Sequence, residues 1–295
     1  MAPMATTSTL LQRGSVDLAV LDERTRVAVA AMESWLRARG SVVVAFSGGA
    51  DSAFVAWIAN EVLGPHNAAV VTAVSPSLAG TELTDCESLA REWGLNWSTV
   101  LTTELDDPDY IRNDADRCFH CKAALSRSLA PLTVDGSTAV LGVNLDDLGE
   151  HRPGQRAAAE RGAEFPLVEA GFTKEMVRLA SRAFGLRTAD KPAAACLASR
   201  VPYGTPVTLG VLREVEQAEA ALHRLGFDDL RVRHYRDMAR IEVPLHRLAH
   251  LVEQRDAVVD AVKSAGYRYV TVDLEGLRSG NLNAALGLGE KPAKP

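Results

Sequence analysis

Cysteine and aromatic residues are scarce in this chain of 295 residues, which contains 4 cysteines and 5% aromatic residues. Four cysteines are too few for a disulfide scaffold at this length, so a small disulfide-rich secreted fold is excluded. No apolar run approaches the roughly 20 residues that a membrane-spanning helix needs. The N-terminal residues also lack the apolar segment of a secretory signal. Together these absences predict a cytoplasmic protein that does not act at a membrane.

Positive charge is also in short supply. The chain has 32 Lys and Arg residues against 38 Asp and Glu residues, a net charge of −6 at pH 7. Binding nucleic acid over a large surface requires clustered basic residues, so this balance argues against a nucleic-acid partner. The hydrophobic fraction of 47% and the charged fraction of 24% are typical of a globular protein. A small-molecule substrate is the partner expected.

The order of apolar patterns predicts two structured domains. From residue 41 to residue 143, short apolar runs alternate with helical patterns, which predicts an α/β fold with a parallel sheet and helices on both faces. A Pro- and Gly-marked segment then leads into a different order of elements: a helix over 209–225, strands over 230–235 and 240–243, a helix over 245–265 and a strand over 267–274. We therefore predict a flexible N-terminus over 1–15, a nucleotide-binding domain over 16–205 and a smaller α+β domain over 206–295.

The most informative stretch is Ser47-Gly-Gly-Ala-Asp-Ser52, which follows the first predicted strand and precedes a helix. The adjacent glycines Gly48 and Gly49 let the backbone approach an anion, and the helix directs its positive end at that anion. The hydroxyls of Ser47 and Ser52 can bind phosphate oxygens, and Asp51 can help to hold Mg²⁺. The stretch matches neither GxxxxGK[ST] nor GxGxxG, which disfavours a kinase-like loop and a dinucleotide fold. A Gly-Gly turn with a serine helix cap is the alternative.

The spacing of the cysteines suggests a metal centre. Cys118 and Cys121 form a CxxC pair, which places two thiolates on one helical turn. Cys196 lies 75 residues after Cys121 and offers a third thiolate. A zinc site with His120 as fourth ligand and a metal-free redox pair are alternatives. Cys86 lies in a predicted helix, apart from every motif, and is expected to be a packing residue.

Charged residues follow two of the predicted strands. Asp146 and Asp147 come at the carboxyl end of a parallel strand, where open α/β sheets bind ligands, and are candidates for binding Mg²⁺. Arg152 can meet phosphate charge from the same segment. In the second domain, Arg231 and Arg233 alternate along a strand and so share a face. Such a pair suits a phosphate, and an exposed basic strand face is the alternative.

These motifs resemble a known family. The SGGADS loop resembles the signature of the PP-loop ATP pyrophosphatases, which cleave ATP to AMP and pyrophosphate. Three further stretches narrow the resemblance: NLDDLGEHRPG at 144–154, KPAAACLASRVPYG at 191–204 and DLEGLRSG at 273–280. Together the four stretches resemble the LarE family of ATP-dependent sulfur transferases. The resemblance extends from about residue 16 to residue 286, nearly the whole chain.

The LarE resemblance implies an adenine nucleotide alpha hydrolase-like fold that uses ATP and Mg²⁺. Enzymes of this family adenylate the carboxylates of pyridinium-3,5-dicarboxylate mononucleotide and convert them to thiocarboxylates, in the biosynthesis of the nickel-pincer nucleotide. One branch gives up the sulfur of its own cysteine, and another holds a 4Fe–4S cluster that delivers sulfide. A purely sacrificial enzyme has no need for Cys118 and Cys121. Cys196 matches the sulfur-bearing cysteine of the family, so the resemblance implies the three-cysteine branch. A cluster on Cys118, Cys121 and Cys196 would leave one iron for a non-protein ligand, and sacrifice of Cys196 is the alternative.

The resemblance also assigns roles to individual residues. Ser47, Gly48, Gly49, Asp51 and Ser52 bind ATP, and Asp51 and Cys196 are catalytic. A further set lines the region that binds the substrate phosphate: Ser199, Glu219, Arg231, Arg233 and Arg278. The family suggests a homo-oligomer, with trimers paired into hexamers. Sulfide or another sulfur donor is a further expected partner.

Two other functional classes compete with this interpretation. A PP-loop enzyme that thiolates tRNA would also use three cysteines and a cluster, but it would normally carry a basic RNA-binding surface. An iron–sulfur sensor with a relict ATP loop would have no need to keep Ser47, Asp51 and Ser52 intact. A glutamine-dependent amidotransferase is disfavoured because the second residue is not a cysteine.

Overall fold

The computed structural model describes residues 8–12, 16–133, 136–148, 155, 158–192 and 195–278. These residues form two compact units. The first unit comprises the described parts of Met1–Ser75, Gly80–Thr103 and Cys118–Ala194. The second comprises the described parts of Pro76–Ala79, Glu104–Arg117 and Ala195–Pro295.

The second unit therefore begins before residue 206 and includes two earlier segments. Backbone hydrogen bonds explain the grouping: the Gly204 N–H donates to the Asn113 carbonyl at 3.1 Å, and the Val207 N–H donates to the Ile111 carbonyl at 2.9 Å. The Leu197 N–H likewise donates to the Ser77 carbonyl at 2.9 Å. Such long-range pairing is not visible in a local sequence pattern.

The first unit contains the predicted parallel sheet. Its strands are β1 Val42–Ala45, β2 Ala68–Val74, β3 Asn96–Leu101 and β4 Thr138–Leu141. They lie in the order β3-β2-β1-β4, and every neighbouring pair is parallel. Alternate residues of β1 pack on opposite faces, with Val44 in the larger core and Val43 against Leu125 and Leu129. The sheet is thus covered by helices on both faces, which confirms the predicted fold class.

The helices described up to residue 183 include one, Pro108–Arg112, that belongs to the second unit. They are α1 Glu23–Arg39, α2 Ala50–Leu63, α3 Gly80–Glu92, α4 Pro108–Arg112, α5 Arg117–Leu129, α6 Pro166–Glu169 and α7 Lys174–Ala183. The sequence pattern predicts a helix from about Val16 to Arg39, but α1 begins at Glu23, because the Asp22 side chain caps it by accepting the Thr25 N–H. It ends at Gly40, whose φ of 73° is favourable for glycine.

Part of the N-terminus is anchored, although the sequence predicts a flexible segment over 1–15. The N–H groups of Thr9 and Leu10 each donate to the Glu33 carboxylate at 3.1 Å, and the Ser8 hydroxyl also contacts it. Leu10 is buried in the core of the first unit. The buried Glu33 carboxylate therefore holds residues 8–10 on α1.

The second unit contains a three-stranded sheet of order β5-β6-β7. Its main elements are α8 Leu209–Arg224, β5 Arg231–Tyr235, β6 Met238–Glu242, α9 Leu248–Glu253, α10 Arg255–Ser264 and β7 Tyr269–Val272. Strands β5 and β6 are antiparallel, whereas β6 and β7 are parallel. The single helix predicted over 245–265 is wrong. The chain leaves helical geometry at Gln254, with ψ near 18°, and so divides into α9 and α10. Within the described part of the chain, no helix is long and apolar enough to cross a membrane.

The strand order places a topological switch point at the carboxyl end of β1. The chain leaves β1 toward β2 on one side, while β4 lies on the other side, with Ala45 opposite Leu141. In open α/β sheets, ligands bind where neighbouring connections diverge in this way. The loop after β1 and the turn after β4 are therefore brought together.

Candidate active site

Two serines brace the loop that follows β1. The Ser47 Oγ and Ser52 Oγ atoms are 3.0 Å apart, and Ser52 Oγ also accepts the Ser47 N–H at 3.2 Å. The Ser52 hydroxyl further contacts the Gly49 carbonyl at 3.1 Å. These bonds close the loop on itself at the start of α2.

The N-terminus of α2 is open. Its N-cap residue is Gly49, which has no side chain to bond the first turn, so the alternative of a serine-capped turn is wrong. Among the residues that the structure describes, the N–H groups of Ala50, Asp51 and Ser52 have no acceptor. Unpaired N–H groups at the positive end of a helix form an anion-binding site. The loop thus has the donors that a phosphate chain requires.

Gly48 lies against Cys86. Its φ is +69°, and a Cβ atom at Gly48 would be 2.9 Å from the Cys86 sulfur. Cys86 is fully buried, as predicted for a packing residue, but it is not remote from the motifs, because α3 carries it to the loop. Burial raises the pKa of the Cys86 thiol to about 11, and Thr72 hydrogen-bonds it. Cys86 therefore stays protonated and supports the loop.

Gly142 is a residue of the site that sequence reasoning missed. A Cβ atom at Gly142 would be 2.6 Å from the Ser52 nitrogen and 2.8 Å from the Asp51 carbonyl carbon. The chain leaving β4 can therefore pass the first turn of α2 only with glycine at this position. A glycine directly after a predicted strand was the available signal.

Asn144 and Asp51 join the turn after β4 to the loop after β1. The Asn144 side-chain amide donates to Asp51 Oδ1 at 3.0 Å. The pKa of Asp51 is raised overall, chiefly by burial and also by the negative charge of Asp147. The Asn144 hydrogen bond and the charges of Lys174 and Arg178 lower it by less. A carboxylate that is costly to keep ionised favours a bound cation. The sequence contained Asn144 within a motif but did not predict this role.

The two aspartates after β4 have different partners. Asp147 Oδ2 accepts the Asn144 N–H at 3.2 Å in a turn over Leu145–Asp147. Asp146 Oδ2 accepts the Lys174 N–H at 2.7 Å, at the start of α7. Of these two aspartates, Asp147 is the one whose negative charge raises the pKa of Asp51. Of the two Mg²⁺ candidates, Asp147 is thus the better placed partner of Asp51. Arg152 lies outside the described residues.

Of the three cysteines of the predicted cluster, Cys118 and Cys121 belong to the first unit and Cys196 to the second. Cys118 and Cys121 lie in the first turns of α5 and are exposed and half-buried, respectively. Cys196 is exposed and directly precedes a short 3₁₀ turn, Leu197–Arg200, in the second unit. None of the three is in a disulfide bond. Their chemistry and exposure suit ligation of a soft metal centre, in contrast to buried Cys86.

Arg200 fixes the segment that carries Cys196. Its guanidinium makes two bonds to the Glu219 carboxylate, at 2.9 and 3.0 Å. Its Nη1 donates to the Cys196 carbonyl at 3.2 Å and to Ser199 Oγ at 3.1 Å. Glu219 also accepts the Val232 N–H at 2.9 Å, so α8, β5 and the cysteine segment share one carboxylate. Arg200 was not among the predicted site residues, although it ends the CLASR motif.

Arg231 and Arg233 differ sharply in environment. Arg233 is only 2% exposed, and it donates to Glu242 Oε2 and to the Ser199 carbonyl, both at 2.8 Å. An exposed basic strand face is therefore wrong for this residue. Arg231 is half-buried and contacts only the Arg278 carbonyl, at 3.2 Å, with no carboxylate within 4.0 Å among the described residues.

The positive charge of Arg231 has no directly bonded carboxylate among the described residues. Burial lowers the pKa of Arg231, and Arg233 and Arg200 lower it further, whereas the more distant charges of Glu242 and Glu219 raise it, with a net fall. The side chain of Arg278 is directed to Glu275, with which it forms an ion pair. A half-buried guanidinium in a positive environment is suited to bind an anionic group such as a phosphate.

The parallel sheet and the glycine-rich loop on an open helix N-terminus define a PP-loop nucleotide-binding protein. In agreement with this class, residues 27–111 match the NAD synthase family. The uncharacterized protein slr1717 of Synechocystis sp. is 44% identical over 248 residues, covering 83% of this chain and 92% of that protein. The pyridinium-3,5-bisthiocarboxylic acid mononucleotide synthase of Lactiplantibacillus plantarum is 38% identical over 271 residues, covering 91% of this chain and 97% of that protein. The chain belongs to the LarE family of ATP-utilising sulfur transferases.

Proposed function

We propose that this protein converts the carboxylates of pyridinium-3,5-dicarboxylate mononucleotide to thiocarboxylates in an ATP-dependent reaction. The similarity to a synthase of the bisthiocarboxylic acid mononucleotide supports the substrate class. The observation that carries the proposal is the open α2 N-terminus beside the bonded Asp51 and Asn144 pair. This arrangement offers anion donors and a carboxylate for a cation within one unit.

The first step is adenylation of the substrate. A carboxylate oxygen attacks the α-phosphorus of ATP, and the bond from that phosphorus to the bridging oxygen breaks. Pyrophosphate leaves with the electron pair, and the acyl adenylate remains. The N–H groups of Ala50, Asp51 and Ser52 bind the phosphates at the positive end of α2. Mg²⁺ held by Asp51 and Asp147 would supply positive charge to the phosphate oxygens.

The second unit binds the acceptor. Arg231 is the residue that we assign to the phosphate of the mononucleotide, because it is half-buried and lacks a carboxylate partner among the described residues. Arg233 and Glu219 act by holding β5 and the cysteine segment in place. Ser199 accepts the Arg233 bond, and Arg278 accepts the Arg231 bond, both through their carbonyls. Of the five residues predicted to line the substrate phosphate region, Arg231 would contact the phosphate, and the other four would hold Arg231 and its strand in place.

In this proposal Cys118, Cys121 and Cys196 would hold a 4Fe–4S cluster. When bound, the cluster would supply sulfide as the nucleophile, and AMP would leave the acyl carbon with the electron pair of the broken bond. The spacing of the cysteines supports the assignment, as does the exposure of Cys118 and Cys196, with Cys121 half-buried. Direct sacrifice of Cys196 is the second candidate, because Cys196 is exposed and Arg200 fixes its carbonyl.

A product assay tests the adenylation step. Full-length protein with MgATP, the pyridinium dicarboxylate mononucleotide and sulfide is expected to release AMP and pyrophosphate. Asp51→Ala is expected to lower turnover by about 10²-fold or more, as loss of electrostatic stabilisation does. Asp190→Asn is a matched control, since Asp190 is an exposed carboxylate paired with Arg182 in the same unit. ADP and phosphate as products, or activity only with tRNA as acceptor, would contradict the proposal.

A further inference from the structure

A lysine from a distant part of the sequence lies against the nucleotide loop. The Lys191 Nζ atom is 3.7 Å from the position that a Cβ atom on Gly48 would occupy. P-loop proteins carry a phosphate-binding lysine within the loop motif itself, and the Ser47–Ser52 stretch has none. The fold thus brings an ammonium group to a loop whose own sequence lacks one.

The ammonium group of Lys191 is held in place by α3. It donates to Glu82 Oε2 at 2.8 Å and to Asp85 Oδ2 at 2.7 Å. The Lys191 side chain is only 18% exposed, so it is not a mobile surface lysine. An ammonium group has three N–H donors, and these two carboxylates are its only side-chain partners in the described part of the chain. One N–H therefore remains for a ligand.

The charges around Lys191 keep it protonated. Burial lowers the pKa of Lys191, but the hydrogen bonds that it donates to Asp85 and Glu82 outweigh this effect, and the pKa is raised overall. Arg187 Nη1 donates to Asp85 Oδ1 at 2.8 Å, so Asp85 is shared between two cations. Lys191 is thus a fixed positive charge beside Gly48.

We propose that Lys191 binds the β- and γ-phosphates of ATP at the loop and stabilises the pyrophosphate as it leaves. The inference rests on the proposed function, because it requires ATP at this loop. When the bond to the α-phosphorus breaks, its electron pair stays on the bridging oxygen, and negative charge grows on the β-phosphate. A cation already fixed beside the loop meets that charge without reorganisation. Glu82 and Asp85 act as positioning residues for it.

Calorimetric titration of the full-length protein with MgATP, magnesium pyrophosphate and AMP tests this assignment. Lys191→Ala is expected to weaken binding of MgATP and pyrophosphate by roughly 10- to 100-fold, the usual cost of one charge-assisted contact. AMP binding is expected to stay unchanged, because AMP lacks the β- and γ-phosphates. Arg187→Ala is the matched control: it removes the other cation on Asp85 and should leave ATP binding unchanged.

A second variant separates charge from packing. Lys191→Gln keeps a hydrogen-bonding side chain beside Glu82 and Asp85 but removes the charge, and the same contrast between ATP and AMP is expected. Unchanged ATP affinity in both variants, with a wild type that binds ATP, would overturn this inference alone. Equal losses of affinity for ATP and AMP would also overturn the inference, because they would show that Lys191 only maintains the structure of the loop. A wild type that binds neither ATP nor pyrophosphate would contradict the proposed function as well.

Discussion

The Asn144 side-chain amide donates a hydrogen bond of 3.0 Å to the Asp51 carboxylate, although the two residues lie 93 positions apart in the chain. The bond ties the turn after β4 to the first turn of α2. It also orients one carboxylate oxygen of Asp51, which leaves the other for a cation. The strand order β2-β1-β4 is what brings these two residues together.

Asp51→Asn is expected to stabilise the fold while abolishing turnover. The pKa of Asp51 is raised above its ordinary value of 3.8, chiefly by burial, so its ionised form lowers the free energy of unfolding at neutral pH. The neutral amide removes this cost. Denaturant unfolding at pH 8 should therefore show a more stable variant in the absence of Mg²⁺ and nucleotide.

The pH dependence provides the check on this prediction. Protonation of Asp51 relieves the same cost in the wild type, so the difference between the two proteins should shrink as the pH falls toward 3.8. MgATP should raise the thermal midpoint of the wild type more than that of the variant. A variant less stable than the wild type at pH 8 would be inconsistent with a destabilising carboxylate.

Gly142→Ala is expected to damage the nucleotide loop. The added Cβ would lie 2.6 Å from the Ser52 nitrogen, so either β4 or the first turn of α2 must shift. Overpacking of this kind costs about 1–3 kcal/mol in the free energy of unfolding, and ATP binding should weaken with it. Gly210→Ala is a control, since the nearest atom there is Thr208 Oγ1 at 3.9 Å. Equal effects of the two substitutions on stability and ATP affinity would refute the steric argument.

Arg231→Ala and Arg233→Ala are expected to fail in different ways. Arg233 is buried and donates to Glu242, so Arg233→Ala removes one cation from a buried carboxylate and should lower the free energy of unfolding by about 3 kcal/mol. Arg231→Ala should keep the wild-type stability but raise the acceptor KM by roughly 10- to 100-fold, with the ATP KM unchanged. Chemical unfolding and steady-state kinetics measure the two effects. A similar loss of stability in both variants would show that Arg231 is also a structural residue.

The four cysteines are expected to differ in reactivity. Burial raises the pKa of Cys86 to about 11, so iodoacetamide at pH 8 should leave it unmodified in the iron-free protein. The more accessible Cys118, Cys121 and Cys196 should be alkylated, which peptide mass spectrometry can follow. Cys86→Ala should retain the iron content of the anaerobically purified protein, whereas alanine at any of the other three should deplete it. Modification of Cys86 at the rate of Cys196 would contradict its assignment as a support.

Local patterns predicted the first unit well. The valine-rich run at 42–45, the two glycines after it and the helix that follows are consecutive in the sequence, and the structure contains each of them. The parallel sheet follows from the same alternation. In the second unit, the apolar period continues through Gln254, and periodicity alone therefore did not reveal the break between α9 and α10.

Contacts between distant segments were the part that the sequence did not reveal. Cys86, Gly142, Asn144 and Lys191 all lie against the loop or its helix, yet none is near residue 47 in the chain. Strand alternation correctly placed Arg231 and Arg233 on one face of β5, but alternation does not tell which residue is covered. Which of the two arginines is covered is decided only when α8 and the segment around Cys196 and Ser199 pack on β5.

Intact-protein mass after multiple turnovers tests the central claim most directly. The anaerobically purified, iron-loaded protein is incubated with MgATP, sulfide and the pyridinium dicarboxylate mononucleotide, and products are counted per chain. Delivery of sulfide by the cluster predicts several thiocarboxylates per chain, one AMP and one pyrophosphate for each thiocarboxylate, and an unchanged polypeptide mass. A single turnover that leaves the chain lighter by about 34 Da, the loss of H₂S from Cys196, would contradict cluster delivery.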